Sequence, residues 1–275
     1  MLKVMTFNIR GFHNADGENV WEKRAQINTQ TILKAAPDII GFQELMPGNQ
    51  EHYDKTLQDY DFELGPRVSM ENDQGIWEHP AIYWRRERFT LLDCGHYYLN
   101  ETPERYAVDW NAVQGRGLNW VRLRDRNHDI EFIFMNTHFS HVSEEARVKS
   151  AHLICQRTNE LFPARSVILT GDFNTTPQMA DVSQSSENTP YAIFMNAGFR
   201  DTLETDFVTG AGAPTHTFHN YAGEQYHNLQ RRIDWILYRD GSSKMRVENT
   251  IIIRDAMPPI YPSDHYPVVA TFNWK

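Results

Sequence analysis

Apolar runs of strand length recur along this chain, and several of them end in an acid, an amide or a histidine. Residues 4–9 set the pattern. Val4, Thr6 and Asn8 alternate with Met5, Phe7 and Ile9, the period of two that gives a strand two different faces. Further strands are predicted at 38–45, 81–84, 89–94, 118–124, 130–139, 166–170, 233–238 and 268–274 from their β-branched and aromatic content. Helical periodicity is rarer. Residues 21–34 carry Trp21, Ala25, Ile32 and Leu33 at helical offsets, and 144–162 carry a stripe of Ala151, Ile154, Cys155, Thr158, Leu161 and Phe162. Ser143 is placed to cap the second of these, with Glu144 and Glu145 complementing its first turn. A shorter helix is expected at 189–197, and surface loops at 181–188 and 210–214. Strands outnumber helices, occur in both halves and show no repeat of solenoid or propeller length. The expected fold is therefore one α/β domain spanning 1–275, with two sheets packed together and helices outside.

The charge balance bears on partners. The 275 residues include 27 Lys and Arg against 36 Asp and Glu, a net charge of -9, and 40% are hydrophobic. Such a chain can build a core and is no disordered acidic tail. Dedicated nucleic-acid binders carry a basic face, whereas the basic clusters here are short: Arg85, Arg86 and Arg88; Arg122, Arg124 and Arg126; Arg231 and Arg232. Nucleic acid is thus not favoured as a partner, although an acidic protein can still bind phosphate where a divalent cation supplies the local charge. No stretch approaches the roughly 18 consecutive apolar residues of a membrane span. The first ten residues read as a strand and not as a leader, so a cytoplasmic location is expected. Cys94 and Cys155 cannot form a disulfide framework, show no zinc spacing, and are read as reduced structural residues.

The chemistry concentrates where strands end. Asn8, Glu44, Asn136 with His138, Asp172 with Asn174, and Asp264 with His265 each lie at a strand boundary. Carboxylate and amide oxygens are hard ligands suited to Mg²⁺ or Mn²⁺. Singly, each has an ordinary account: Glu44 as a solvated strand-end acid, Gly171-Asp172-Phe173-Asn174 as a turn, Ser263-Asp264-His265 as a cap before a strand, and His138 as a solvent-facing histidine. Asp234 is harder to dismiss, because it lies between Ile233 and Trp235 where an unpaired charge costs several kcal/mol. It requires a partner, and a histidine is the obvious one.

Taken together and in order, Phe-Asn at 7–8, Gln-Glu at 43–44, Asn-Thr-His at 136–138, Gly-Asp-Phe-Asn at 171–174, Arg-Ile-Asp at 232–234 and Ser-Asp-His at 263–265 resemble the endonuclease/exonuclease/phosphatase superfamily. That superfamily includes pancreatic-type deoxyribonuclease, apurinic endonucleases, inositol polyphosphate 5-phosphatases, sphingomyelinases and deadenylases. The resemblance implies a four-layer α/β sandwich with two mixed sheets face to face. It also implies a Mg²⁺- or Mn²⁺-dependent phosphoesterase acting on a phosphate-ester substrate, a phosphodiester before a monoester. By the same resemblance Glu44 is the principal metal ligand, with Asn8 and Asp264 near the ion or its waters. Asp172 orients or deprotonates the attacking water, and Asn174 holds the nucleophile or a phosphate oxygen. His265, oriented by Asp234, contacts the scissile phosphate. His138 serves as a phosphate ligand or general acid. The physical logic stands apart from the family, since a phosphate ester is anionic and only cations and charged donors offset the charge gathering on its oxygens.

Two supporting residues are added. Glu78 occupies the place where some relatives carry an acid that partners the second histidine, and Arg116 can grip phosphate bidentately. The aromatics of 95–117 (Tyr97, Tyr98, Tyr106, Trp110), with Tyr221 and Tyr226, could stack a base or sugar but are read as core. His141, His152, His216 and His219 show no ligand spacing. Two rival readings are kept: a nuclease proper, weakened by the acidic charge and the lack of basic insertions, and a silent relative used as a scaffold.

Overall fold

The structure, a computed structural model, describes residues 1–69, 77–177, 188–203 and 215–275. The loop expected at 210–214 and nearly all of that at 181–188 lie outside these residues. In chain order the described residues form β1 (Leu2–Asn8), α1 (Trp21–Ala35), β2 (Ile39–Gln43), α2 (Pro47–Thr56), β3 (Tyr60–Glu63), β4 (Val68–Ser69), β5 (Trp77–Glu78), β6 (Ile82–Arg85), β7 (Phe89–Tyr98) and β8 (Gly117–Asp125). They continue with β9 (Ile130–His138), α3 (Glu144–Leu161), β10 (Val167–Asp172), α4 (Pro190–Asn196), β11 (Arg200–Asp201), β12 (Asp234–Arg239), β13 (Met245–Ile252) and β14 (Val268–Trp274).

Two six-stranded sheets result, ordered β13-β14-β1-β2-β6-β3 and β11-β12-β10-β9-β8-β7, with β4 and β5 as a separate pair. Each large sheet is mixed: β1 runs parallel to β2, β10 runs parallel to β9, and their other neighbours are antiparallel. The sheets face one another, and helices cover both outer faces. Met5, Phe7, Ile40 and Phe42 pack outward on Trp21, Ala25 and Ile32 of α1 and Tyr53 of α2. Ile133, Met135, Leu169 and Trp235 pack outward on Ala151 and Ile154 of α3 and Phe194 of α4. Ser143 caps α3 as expected, its side chain accepting from the Ala146 N–H.

The inward faces position the site. Val4, Ile39, Phe132, Phe134, Ile168 and Ile236 share the core between the sheets. Two residues along the same strands the inward row turns polar, with Thr6, Gly41, Asn136 and Thr170. Two further along stand Asn8, His138 and Asp172, and Asp234 takes the equivalent place on β12, which runs the other way. The middle row is a brace. Asn136 Nδ2 donates to Phe42 O (2.7 Å) and Ala81 O (3.0 Å) of the opposite sheet. Its Oδ1 accepts from Gln43 Nε2 (2.7 Å) and Thr170 Oγ1 (3.0 Å). Position 41 must be glycine for this approach, because a Cβ there would fall 2.6 Å from Asn136 Oδ1. Asn136 was expected among the strand-end site groups. It is fully buried and fully bonded, so it joins the sheets beneath the site and does not enter it.

Several elements escaped the sequence reading. Helix α2 opens on Pro47 and has only a weak apolar stripe, and β13 is a polar edge strand. Neither cysteine is bonded: Cys155 is in the core, whereas Cys94 is exposed on β7 and carries no packing role.

Candidate active site

At one rim of the sandwich a cleft of about 320 Å³ is lined by Arg10, Glu44, Glu78, Gln114, Arg116, His138, His141, Asp172, Asn174, Phe218, Arg231, Ile233, Asp264 and His265. Eight of the ten residues singled out from the sequence line it; Asn8 and Asp234 form its floor. Glu44, Asp172 and His265 therefore share one pocket.

Asn8, at the end of β1, donates from Nδ2 both to Glu44 Oε1 (2.9 Å) and to Asp172 Oδ2 (3.0 Å), while its Oδ1 accepts from Arg10 N (2.9 Å). Its amide oxygen is thus occupied. Asn8 orients two carboxylates, one of them Glu44, which keeps it beside the place where an ion was expected. Glu44 follows β2 with φ of 60°, Arg10 has φ of 53° and Asn174 has φ of 51°. Three left-handed residues in one site, one of them a glutamate, represent backbone strain on the order of 1 kcal/mol or more, which the surrounding packing must hold.

The carboxylates differ in charge state. Burial tends to raise Glu44, but His13 (Nε2 at 3.7 Å), His138, Arg10 and Asn8 outweigh it and hold the group well below the usual carboxylate range. Burial and then the neighbouring Asp234 push Asp172 up to about 7. Asp264 is also raised by burial, against the pull of His265 and Arg10. Glu78 is pushed up to about 7 by burial despite its contact with Arg116. Carboxylates crowded enough to raise one another are expected where a divalent ion belongs.

The two histidines also differ. His265 Nδ1 lies 2.9 Å from Asp234 Oδ2, leaving Nε2 to face Asp172 Oδ2 at 3.7 Å and Asp264 Oδ1 at 4.0 Å. Burial alone would lower the ring, but Asp234 and then Asp264 prevail and raise it to about 10, so it is an imidazolium at neutral pH. Burial and the Arg116 charge instead hold His138 well below its ordinary value. A neutral ring cannot act as a charged proton donor, which favours its expected role as a phosphate ligand over that of general acid. His138 Nε2 sits 3.1 Å from Asn174 Nδ2 and 3.4 Å from Asp172 Oδ2.

Arg116 is nine-tenths buried and locked. Its Nη1 lies 2.9 Å from Glu78 Oε1 and 3.0 Å from His138 Nδ1, and Gln114 Nε2 donates to the same Glu78 oxygen at 2.8 Å. Glu78 was expected beside the second histidine, and the two stand 3.9 Å apart with the Arg116 guanidinium bridging them more closely. Glu78 thereby fixes Arg116. Ser263 Oγ donates to Asn8 O at 2.7 Å, tying the loop that carries Asp264 and His265 to β1.

For a metal ion, the tightest ligand cluster among the described residues is Asp172, Asp234 and His265, with ligand atoms within 4.8 Å of one another. His265 Nδ1 is already committed to Asp234, and the charged ring balances that carboxylate. The ionised Glu44, with Asp264 and Asp172 across the cleft, is the better fit for a hard cation. A profile of the Endonuclease/Exonuclease/phosphatase family matches residues 5–265. The chain belongs to this family. The endonuclease/exonuclease/phosphatase fold is also that of a mannosyl-6-phosphatase from Bacteroides thetaiotaomicron, Bt3783, which is 26% identical with a TM-score of 0.84 over 99% of this chain and 100% of that one. A family member from Bacteroides vulgatus is 28% identical with a TM-score of 0.83, covering 100% and 99% of the two chains. The uncharacterized protein L388 of Acanthamoeba polyphaga mimivirus is 27% identical over 190 residues, 65% of this chain and 69% of that one. Endonuclease/exonuclease/phosphatase proteins are hydrolytic phosphoesterases and generally depend on a divalent metal.

The sequence reading missed Arg10, Gln114, His141, Phe218, Arg231 and Ile233 as lining residues. Arg10 had a signal, lying two residues past Asn8 at a strand end. His141 did not: it meets Arg116 Nη2 at 3.4 Å through the fold and not through any ligand spacing. Of the six aromatics read as core only Tyr97 and Tyr226 are buried; Tyr98, Trp110 and Tyr221 are half-buried and Tyr106 is exposed, so the core reading holds for two, and the Tyr226 hydroxyl accepts from Arg231 at the cleft rim.

Proposed function

We propose that this protein hydrolyses a phosphate ester by in-line attack of water at a Mg²⁺- or Mn²⁺-dependent centre. The observation that carries the reading is the convergence of Glu44, Asp172 and His265, from three distant parts of the chain, on one cleft. Glu44, with Asp264, would hold the ion, which supplies a Lewis acid against the phosphate oxygens. Asp172, at about 7, is poised to orient water and take up its proton near neutral pH, with Asn174 N donating to its Oδ1 at 2.9 Å. The His265 imidazolium and Arg116 offset the charge that gathers on the phosphate in the transition state. Phosphodiesters are the first substrate class to test. A sugar phosphomonoester is the second reading, favoured by the likeness to a mannosyl-6-phosphatase. The net charge of -9 argues against long nucleic acids.

The test is turnover of bis-p-nitrophenyl phosphate, p-nitrophenyl phosphate, hexose 6-phosphates, DNA and RNA by chelated and metal-reconstituted protein. Asp172→Ala and His265→Ala should each lower kcat about 1000-fold or more. Activity that survives chelation would remove the metal from the reading, and a fully active variant would remove that residue.

A further inference from the structure

Beside the catalytic cleft lies a second hollow of about 590 Å³, lined by Phe12, Asn14, Met46, Pro47, Gly48, Arg67, Trp77 and His79. It is continuous in backbone with the site. Leu45 and His79 exchange hydrogen bonds, Leu45 N to His79 O at 3.3 Å and His79 N to Leu45 O at 2.9 Å. That bridge joins the residue after Glu44 to the residue after Glu78, so both walls of the hollow are extensions of segments that carry cleft carboxylates.

The hollow is built and not incidental. The Phe12 N–H points at Met46 Sδ (3.0 Å), which fixes the start of the segment. The Phe12 ring lies flat enough on residue 48 that a Cβ there would meet ring carbons Cε2 and Cγ at 2.9 and 3.1 Å, so only glycine at the first turn of α2 leaves the ring in place. Trp77 is held by the Arg67 guanidinium, 4.6 Å from its ring centroid, and by Tyr106 edge-on at 6.1 Å. Phe12 and Trp77 nevertheless stay only half-buried, in a protein that hides most of its aromatic rings. Around these apolar walls stand an amide, an imidazole and a guanidinium, from Asn14, His79 and Arg67. Apolar walls that meet the C–H face of a ring, beside donors and acceptors that meet its hydroxyls, suit a sugar.

We propose that this hollow is the subsite for the alcohol portion of the substrate and that it takes a hexose ring. The inference rests on the phosphoesterase reading, because it assigns the part of the ester that the cleft itself does not hold. A phosphate seated in the cleft would carry its alcohol across the Leu45–His79 bridge onto Phe12. Binding energy gained there, away from the reacting atoms, discriminates between esters of the same phosphate.

Two measurements on the metal-reconstituted full chain test it. First, the ratio of kcat/KM for mannose 6-phosphate to that for glycerol 3-phosphate should fall about tenfold in Phe12→Ala, the loss of one apolar wall. Gly48→Ala, which favours the helix but displaces the ring, should lower the same ratio and serves if Phe12→Ala does not fold. Second, saturation-transfer NMR with methyl α-mannopyranoside, which has no phosphate, should show contact at the ring C–H protons that is lost in both variants. A ratio that moves in neither variant overturns the subsite, as does transfer to adenosine in place of the glycoside. A protein inert on every phosphate ester that still contacts the glycoside overturns the hydrolase reading and leaves the subsite standing.

Discussion

Asn8 on one sheet and Asp172 on the other, 164 residues apart in sequence, meet at 3.0 Å through an amide–carboxylate hydrogen bond. The same amide nitrogen holds Glu44, so one side chain sets the spacing of the carboxylate proposed to hold the ion and the carboxylate proposed to orient water. Removing it in Asn8→Ala should lower kcat and metal affinity by about 10- to 100-fold, as loss of a residue that orients ligands does. Because a small buried side chain is removed at the rim and not in the core, the fold should persist. Metal titration and steady-state kinetics of the variant, with circular dichroism for folding, check this.

The Asp234–His265 pair should reveal itself by titration. In Asp234→Asn the ring loses its main carboxylate, so its pKa should drop from about 10 by about one unit or more, read from imidazole proton shifts. The sign for stability follows. A ring raised above its ordinary 6.5 contributes stability that is full below 6.5 and is lost as pH rises through about 10, and the variant should lack that loss. Turnover should fall about 1000-fold or more, with the remaining activity shifted to lower pH, where the ring is still charged.

The stability of the metal-free protein is linked to protons through Asp172 and Glu78, both pushed up to about 7 from 3.8 and 4.5. Acids raised in the folded state stabilise it below their unfolded values and lose that contribution as pH rises to about 7. Metal-free protein should accordingly melt lower at pH 8 than at pH 5. Added Mg²⁺ or Mn²⁺ should raise the melting temperature more at pH 8, where the carboxylates are ionised without it. Greater stabilisation at pH 5 would contradict these charge states.

Arg24 is fully buried and takes no carboxylate among the described residues. Its guanidinium donates to the carbonyls of Asn19 (2.8 Å), Ile9 (2.6 Å), Gly11 (2.8 Å), Pro262 (3.1 Å) and Arg10. It thereby clamps the segment after β1 to the segment that leads into Ser263, Asp264 and His265. Arg24→Met leaves those carbonyls without donors and should destabilise the protein by about 3 kcal/mol or more in urea unfolding. Arg24→Lys, with three donors for five carbonyls, should recover only part of the loss.

Much of this was legible in the chain. Alternation in 4–9 located β1 and both of its faces, and the strand-end residues Asn8, Glu44, His138 and Asp172 were found because strands deliver side chains to a rim at fixed spacing. Asp234 was recognisable from its apolar surroundings, and His265 is the partner it required. What sequence could not show was contact across the sheets. Nothing local distinguishes Asn136, which braces them, from His138 two residues on, which enters the cleft. Arg116 between Glu78 and His138, and Arg24 among five carbonyls, are likewise products of tertiary packing. Helix α2 and β13 were missed because their apolar stripes are weak, and their places are set by neighbours more than by their own pattern.

The inward row that runs from Ile168 through Thr170 to Asp172 makes strand pairing and chemistry a single event. A slip of one residue between β10 and β9 would swing Asp172 outward beneath the helices and bring Gly171 to face His138 in its stead. A mispaired molecule would therefore lack the site, and under the proposed reading hydrolytic activity in a preparation would count the chains that have zipped correctly.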